Sequence, residues 1–369
     1  QLGGVWRYTR SLVEALARLS DGHRHSLLYF DSFRSRARHR PDFPQGPGVR
    51  RVSRMPNLLF GLSAAWPALG QAVSVESFLG PVDCFHSVNG LPLPQRRGRR
   101  VVTVHDLSCL RLPQYHPRSR VLHFRLSVAT AARFADAFIV PSQQTRGDLL
   151  ELLGVSPEKV WVIPDGAASV FKPRSATELA PVLDRHRLIE RGYLLFVGNL
   201  EPRKNLLTLI RAYEHLHELL DNTPPLVLVG SEGWRNREIL KRLTASPRAA
   251  SIRWLGYRDD QEVPVLVSGA ACLVYPSLYE GFGLPPLEAM ASGVPVVVSE
   301  VPALREVVAD AGLVVDPRDP EQIARAIAHI LGDKDLQHAL GARGLERASQ
   351  FSWELTARRT VEVYEAVAG

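Results

Sequence analysis

The chain reads as an α/β protein built on two doubly wound parallel sheets. Strand-like and helix-like segments alternate along its length, the pattern of βαβ units that pair in parallel. With 369 residues there is chain enough for two domains, each able to bury its own core. After a proline-bearing stretch, the apolar run YLLFVGN (Tyr193–Asn199) restarts the alternation cleanly, so it opens the second domain.

In order, LGGVWRYTRSLVEALARL opens with Gly3-Gly4, and Val5, Leu12, Leu16 and Leu19 then recur at helical spacing. An α/β domain normally carries a strand before such a turn, so a first strand upstream of Gln1 is expected to be missing. His25–Phe30 reads as a strand. Residues 31–80 are rich in Arg, Pro and Gly, which predicts loops with one short helix near Ala64–Ala72. Strands follow at Val82–Ser87, Arg100–Asp106 and Ala137–Ser142, with Ser142 placed to cap the next helix. Lys159–Gly166 closes the first domain, and Phe171–Arg191, with Pro173 and Pro181, is expected to hold the linker. Beyond Asn199 come a helix over Leu206–Leu220 and strands at Leu226–Gly230, Ile252–Gly256, Cys272–Ser277, Val294–Ser299 and Leu313–Asp316. Helices occupy the chain from Pro320 onward. The expected domains are 1–172, 173–350 and a terminal helix in 351–369.

Hydrophobic residues make up 45% and charged residues 22%, the balance of a soluble globular protein. Three scattered cysteines, Cys84, Cys109 and Cys272, cannot frame a disulfide scaffold or a zinc cluster, and reduced buried thiols in a cytoplasmic protein are expected. The uncharged run Val263–Tyr279 is broken by Pro264, Gly269 and Pro276 and reads as core rather than as a membrane span. Charge is uneven: residues 1–170 hold 22 Arg and Lys against 12 Asp and Glu, concentrated in Arg34–Arg40 and Arg96–Arg100. No aromatic-interleaved RNA motif or helix-turn-helix accompanies them, so nucleic acid is not an expected partner. Anionic lipid head groups or a phosphorylated acceptor fit better, and a solvated Arg-rich surface fits as well.

Two stretches carry candidate chemistry. In YEGFGLPPLEAMASG (Tyr279–Gly293), Glu280 and Glu288 flank a glycine turn, and Pro285-Pro286 suit the first turn of a helix. Backbone N–H groups and a helix N-terminus then converge where Gly281 and Gly283 allow close approach, an arrangement that suits an anionic, hydroxylated ligand. An ordinary βα connection with solvated glutamates would look the same. LEPRKN places Arg203 and Lys204 after a strand and before a helix, where open α/β sheets bind ligands. Read alone, such a pair is usually a solvated surface pair. His105-Asp106 end VVTVHD, although a histidine there is more often structural.

EGFGLPPLEAMASG, VGNLEPRKNLLTLIRAY, VHDL and the PSxxxxxDL step at Pro141–Leu149 together resemble the retaining glycosyltransferases of family 4, and among them a bacterial mannosyltransferase-like group. The resemblance implies the GT-B architecture: two Rossmann-like domains facing a cleft, with the last helix crossing back onto the first. It implies that Arg203 and Lys204 hold the donor diphosphate, that Glu288 accepts from the ribose hydroxyls, and that Glu280 contacts the donor sugar. Backbone N–H groups of Phe282, Gly283 and Leu284 would hold sugar or phosphate oxygens, and Gly256 and Tyr257 would line the base pocket. Gly3 and Gly4 match the family's glycine turn near the transferred group, otherwise simply a turn before a helix; His105 and Asp106 are placed on the catalytic side. The match departs at Asn199, where many members carry arginine, serine or threonine.

The expected activity is therefore retaining hexosyl, in particular mannosyl, transfer from a GDP- or UDP-hexose to a glycan or lipid-linked oligosaccharide of a cell-surface polysaccharide. No cofactor or metal is expected beyond the nucleotide-sugar co-substrate, because no Asp-x-Asp-like motif stands at a suitable strand end. The expected setting is the cytoplasm, peripherally at the inner membrane face through the basic first domain. Alternatives are a GT-B sugar-nucleotide epimerase, a phosphorylase, or a non-catalytic nucleotide-sugar-binding subunit. Glu280 and Glu288 with the Pro-Arg-Lys run argue against the epimerase, a missing pyridoxal-phosphate lysine motif against the phosphorylase, and the joint presence of His105 and Glu280 against the subunit.

Overall fold

The computed structural model describes residues 4–19, 22–31, 49–56, 74–90 and 93–369. They fall into two compact units. The first comprises 2–111, 118–166 and 352–369 and the second 112–117 and 167–351. The division falls at Gly166/Ala167 and Phe351/Ser352, a few residues from the expected 172/173 and 350/351.

In the first unit the elements run α1 (Gly4–Arg18), β1 (His25–Asp31), β2 (Val49–Pro56), α2 (Glu76–Leu79), β3 (Cys84–Ser87), β4 (Arg99–Thr103), α3 (Ser108–Arg111), α4 (Arg118–Phe134), β5 (Ala137–Val140), α5 (Gln143–Leu153) and β6 (Val160–Val162). β1 and β2 pair in parallel, and β3-β4-β5-β6 form a second parallel sheet in that order. β2 corrects the expectation of loops over 31–80. Its sequence, VRRVSRMP, carries three arginines that mask a strand, yet the pairing is made by backbone groups. Arg34–Arg40 and the helix expected near Ala64–Ala72 lie outside the described residues.

The chain continues through α6 (Ala176–Arg185), β7 (Leu194–Val197), α7 (Leu206–Leu219), β8 (Leu226–Val229), α8 (Arg237–Ala245), β9 (Ile252–Gly256), α9 (Glu262–Ser268), β10 (Cys272–Tyr275), α10 (Leu284–Ala291), β11 (Val296–Ser299), α11 (Pro302–Val308), β12 (Leu313–Val315), α12 (Pro320–Gly332) and α13 (Lys334–Ser349). The second unit's sheet is parallel throughout, in the order β12-β11-β10-β7-β8-β9. LLFV, LVLV, CLVY and VVVS are buried at every position. Only a sheet covered on both faces accepts such unbroken apolar runs. α6 lies inside the expected linker. Its capping box, Ser175 with Glu178, and its buried Leu179 and Leu183 outweigh Pro181 in its interior.

The last helix, α14 (Trp353–Ala368), belongs to the first unit. Ser142 caps α5 as expected, accepting from the Thr145 N–H at 3.1 Å, and Ser352 starts α14 in the same way. Alternation in β4 and β5 sends Val102 and Phe138 to one face, where they pack with Ala131 and Leu149. Val101, Ala137 and Ile139 go to the other, where Val363 of α14 covers them. Ala357 and Val361 of α14 pack against Tyr8, Leu12 and Leu16 of α1. α14 thus completes the hydrophobic face of a sheet more than 180 residues earlier in the chain. Among the described residues no helix is long and apolar enough to cross a membrane.

Candidate functional site

In the second unit the strand order reverses between β7 and β10, which are neighbours. A crevice outside the carboxyl ends of strands opens at such a switch point. Both expected stretches follow these two ends. After β7 a tight 3-10 turn, Pro202–Lys204, leads into α7; after β10 the chain runs through Pro276 to Glu280 and into α10.

The loops are joined by backbone and side chain. Leu278 N donates to the Arg203 carbonyl at 2.9 Å, and Arg203 Nη1 to the Tyr279 carbonyl at 2.7 Å. Asn205, left-handed at φ 59°, donates through Nδ2 to the carbonyls of Pro276 and Pro317 at 3.0 and 2.6 Å. These bonds fix Lys204 Nζ 2.7 Å from Glu280 Oε1 and Arg203 Nη1 3.1 Å from Glu280 Oε2. Arg203 Nη2 also meets Glu201 at 3.0 Å. Lys204 lies over the Tyr275 ring, 4.8 Å from its centroid, and that ring stacks on Phe196.

Arg203 and Lys204 are thus not a solvated pair; they are 9% and 8% exposed. Burial works against the charged form of Lys204, but Glu280 and Tyr275 beside it leave its pKa raised. Burial also pushes Glu280 toward its neutral form, and Arg203 with Lys204 overcomes it, so its pKa is lowered. All three stay charged at neutral pH. Glu201 adds a second carboxyl group on the other side of Arg203. The cations are positioned in advance, at the cost of desolvation already met by their acidic partners.

The remaining second-unit residues lie along the same sheet edge. Asn199 is exposed on the loop after β7. Gly256, at φ 73°, ends β9, and Tyr257 beside it is 46% exposed. Gly283 stands at the N-cap of α10 with φ 128°, and Leu284 is the first helical residue. Phe282 is buried against Phe351, ring centroids 5.9 Å apart. Glu288 is buried in the middle of α10.

The first unit carries its own polar cluster. His105 follows β4, and its Nε2–H donates to the Val88 carbonyl at 2.8 Å, leaving Nδ1 the acceptor of the neutral ring. Burial lowers its pKa despite the Val88 bond and Asp106. The Tyr8 ring of α1 meets His105 edge-on at 4.6 Å. Tyr8 shares the Thr103 hydroxyl with His86 at 3.2 and 2.7 Å, and His86 Nδ1 meets the Tyr364 hydroxyl at 2.7 Å. Asp106 accepts from the Ser108 N–H at 2.9 Å and from its hydroxyl at 2.6 Å, holding the start of α3. Gly4 opens α1 with space around it, and Gly3 lies outside the described residues.

Glu201, Tyr275 and the Tyr8–Thr103–His86–Tyr364 chain escaped the sequence reading. A tyrosine ending an otherwise aliphatic strand at the ligand edge was a usable signal for Tyr275. Glu201 stood in the quoted LEPRKN beside the two cations. No signal in the sequence links Tyr8 to Tyr364.

Two Rossmann-like units, the second with paired cations at its switch point, define a glycosyltransferase of the GT-B fold. Residues 2–168 match Glycosyltransferase Family 4 and residues 186–347 match the glycosyl transferases group 1. The chain belongs to glycosyltransferase family 4. It is 40% identical over 273 residues to O-antigen chain mannosyltransferase B of Escherichia coli, covering 74% of this chain and 72% of that protein. It is 34% identical over 268 residues to D-inositol 3-phosphate glycosyltransferase of Salinispora tropica, covering 68% of this chain and 55% of that one. Among solved structures, the sucrose-phosphate synthase of Thermosynechococcus elongatus superposes with a TM-score of 0.76 at 25% identity, over 99% of this chain and 93% of that chain. WaaG, a glycosyltransferase involved in lipopolysaccharide biosynthesis, gives 0.73 at 20%, over 100% and 97%.

Proposed function

We propose that this glycosyltransferase moves a mannosyl group from a nucleoside-diphosphate mannose, with guanine as its base, to a glycan or lipid-linked glycan acceptor of a cell-surface polysaccharide. The observation that carries the reading is the Arg203–Lys204 pair, buried and charged beside Glu280 at the switch point. Departure of a nucleoside diphosphate builds negative charge, and positive groups fixed beforehand stabilise it without reorganising. The kinship with an O-antigen chain mannosyltransferase supports mannose as the transferred sugar.

Transfer is proposed to retain the configuration of the anomeric carbon. Both oxygens of Glu280 are engaged, one by Lys204 and one by Arg203, which argues against Glu280 as a nucleophile of the double-displacement kind. A dissociative route fits, in which the leaving diphosphate takes the acceptor proton. Neutral His105 supports it as a hydrogen-bond acceptor at Nδ1 for a sugar hydroxyl. Glu288 on α10 would accept from the ribose hydroxyls, and the backbone from Phe282 to Leu284 would meet the donor's oxygens.

A panel of nucleotide sugars, followed by mass spectrometry of the released nucleoside diphosphate, tests this directly. GDP-mannose is expected to turn over fastest, with the product α-linked by NMR. Faster release from UDP-hexoses overturns the donor, and a β-linked product overturns retention. Chelation with EDTA is expected to leave the rate within about two-fold, the reading being that Arg203 and Lys204 do the work of a metal.

A further inference from the structure

Three parallel strands of the first unit run into polar groups at one sheet edge. β4 leads to His105, β5 to Ser142 and β6 to Asp165. Such carboxyl edges are where open α/β sheets take ligands. Two of the three groups have partners: Ser142 caps α5, and His105 is held by the Val88 carbonyl. Asp165 has none. It is 4% exposed, its Oδ1 lacks a hydrogen-bond partner, and among the described residues it makes no ion pair. Burial alone acts on its ionisation, with no neighbouring cation to offset it. A buried carboxyl without a partner weakens the fold, and asparagine would fill the place without charge. Stability therefore does not explain this side chain.

Its surroundings do. The charge of Asp165 acts on the Tyr8 hydroxyl, which puts the carboxyl in the cluster where the Tyr8 ring meets His105 at 4.6 Å. β4 and β6 lie two strand spacings apart, about 10 Å, on the order of one hexose with its hydroxyls. The second sheet presents cations at its carboxyl edge, which suit phosphate. Here a neutral imidazole and a carboxyl stand instead, and these match hydroxyls. We infer that Asp165 is a specificity-determining residue for the acceptor, its buried carboxyl accepting from one hydroxyl of an uncharged acceptor sugar. The inference rests on the glycosyl-transfer reading above, which gives His105 to the donor sugar. A hydroxyl that attacks the donor's anomeric carbon belongs to a ring seated beside that sugar, and Asp165 is an unpaired polar group in the His105 cluster. Depth sharpens the choice, because an analogue lacking the hydroxyl leaves a buried carboxyl unpaired again.

The test uses the whole protein with GDP-mannose and the octyl glycosides of mannose, glucose and galactose as acceptors. The monodeoxy forms of whichever glycoside is used follow. The parent is expected to lose roughly ten-fold or more in kcat/KM on one monodeoxy form. Asp165→Ala should raise the KM for the full acceptor by roughly ten-fold and use that monodeoxy form as well as the full sugar. Asp165→Asn, which keeps an acceptor oxygen, should retain part of the discrimination. In both variants the affinity for GDP, read by calorimetry, should match the parent, and melting at pH 8 should come no lower. Parent KM and parent discrimination in the alanine variant overturn the inference. So does a fall in GDP affinity, which would place Asp165 with the donor. A drop in melting temperature alongside the lost discrimination overturns it as well, by making the carboxyl a support of the fold. If the parent uses none of the octyl glycosides the inference falls, while the donor reading stands. If another nucleotide sugar proves to be the donor, the functional reading falls, and the same acceptor series run with that donor still decides Asp165.

Discussion

Lys204 and Asp165 show how the same penalty of burial on charge has different outcomes according to the partner. Lys204 is buried with a carboxylate on it and stays charged. Asp165, after β6, is buried with Oδ1 unpartnered, and burial pushes its carboxyl up to about 7. For Lys204→Met the expected loss of turnover is about two orders of magnitude, the cost of one fixed positive group at developing charge. Its loss of stability should stay below the ~3–5 kcal/mol of an orphaned buried charge, because Arg203 still meets Glu280. Rates and thermal melts of the purified variant check both. For Asp165 the folded state binds its proton more tightly than the unfolded chain, so its burial costs nothing at low pH. The cost grows as pH rises from the ordinary carboxylate range to about 7. Asp165→Asn should therefore melt higher than the parent at pH 8, by an amount worth up to a few kcal/mol, with the gap closing by about pH 4. A constant gap across that range would mean that the substitution acts through packing instead.

At the scale of elements, the loops at the carboxyl edge of the second sheet fit together with no room to spare. Gly230, at φ 150°, directly follows β8, and a Cβ there would lie 2.0 Å from the Gly198 carbonyl oxygen. Gly230→Ala must push the post-β7 loop, and with it the turn that carries Lys204. It should cost more than about 2 kcal/mol and lower turnover together with melting temperature. What the sequence disclosed of these elements follows from what side chains can report. β7, β8, β10 and β11 are apolar at nearly every position because both faces are covered, and they were legible. β2 was hidden by its arginines and α6 by Pro181. Glu280 and the two cations of the site were visible as residue types, whereas Glu201 was not singled out. Their pairing was not visible, since Lys204 and Glu280 lie 76 positions apart and no local pattern encodes that contact. The caps at Ser142 and Ser352 differ in just this respect, each being written within four residues.

Across the whole molecule, the first unit draws its hydrophobic face from both ends of the chain. Ala357 is fully buried between α14 and α1, and Ala357→Glu should strip protection from the sheet β3–β6 while sparing β7–β12. Hydrogen exchange read by mass spectrometry would show whether the loss is confined in that way. Acid should strike the same unit first. His86 is held neutral down to about pH 3 by burial and by its neighbour His105, whereas the unfolded chain takes its proton near 6.5. Stability there declines as pH falls below that value. The passage of the chain out of the first unit at Gly166 and back at Ser352 has a consequence during synthesis. A ribosome working from the amino end releases every residue of the second unit before the first has received α14. The second unit can then condense while the half made earlier still shows Tyr8, Leu12 and Val101 to solvent. Translation thus inverts the order of assembly, and the half begun first is the one a chaperone would have to shelter.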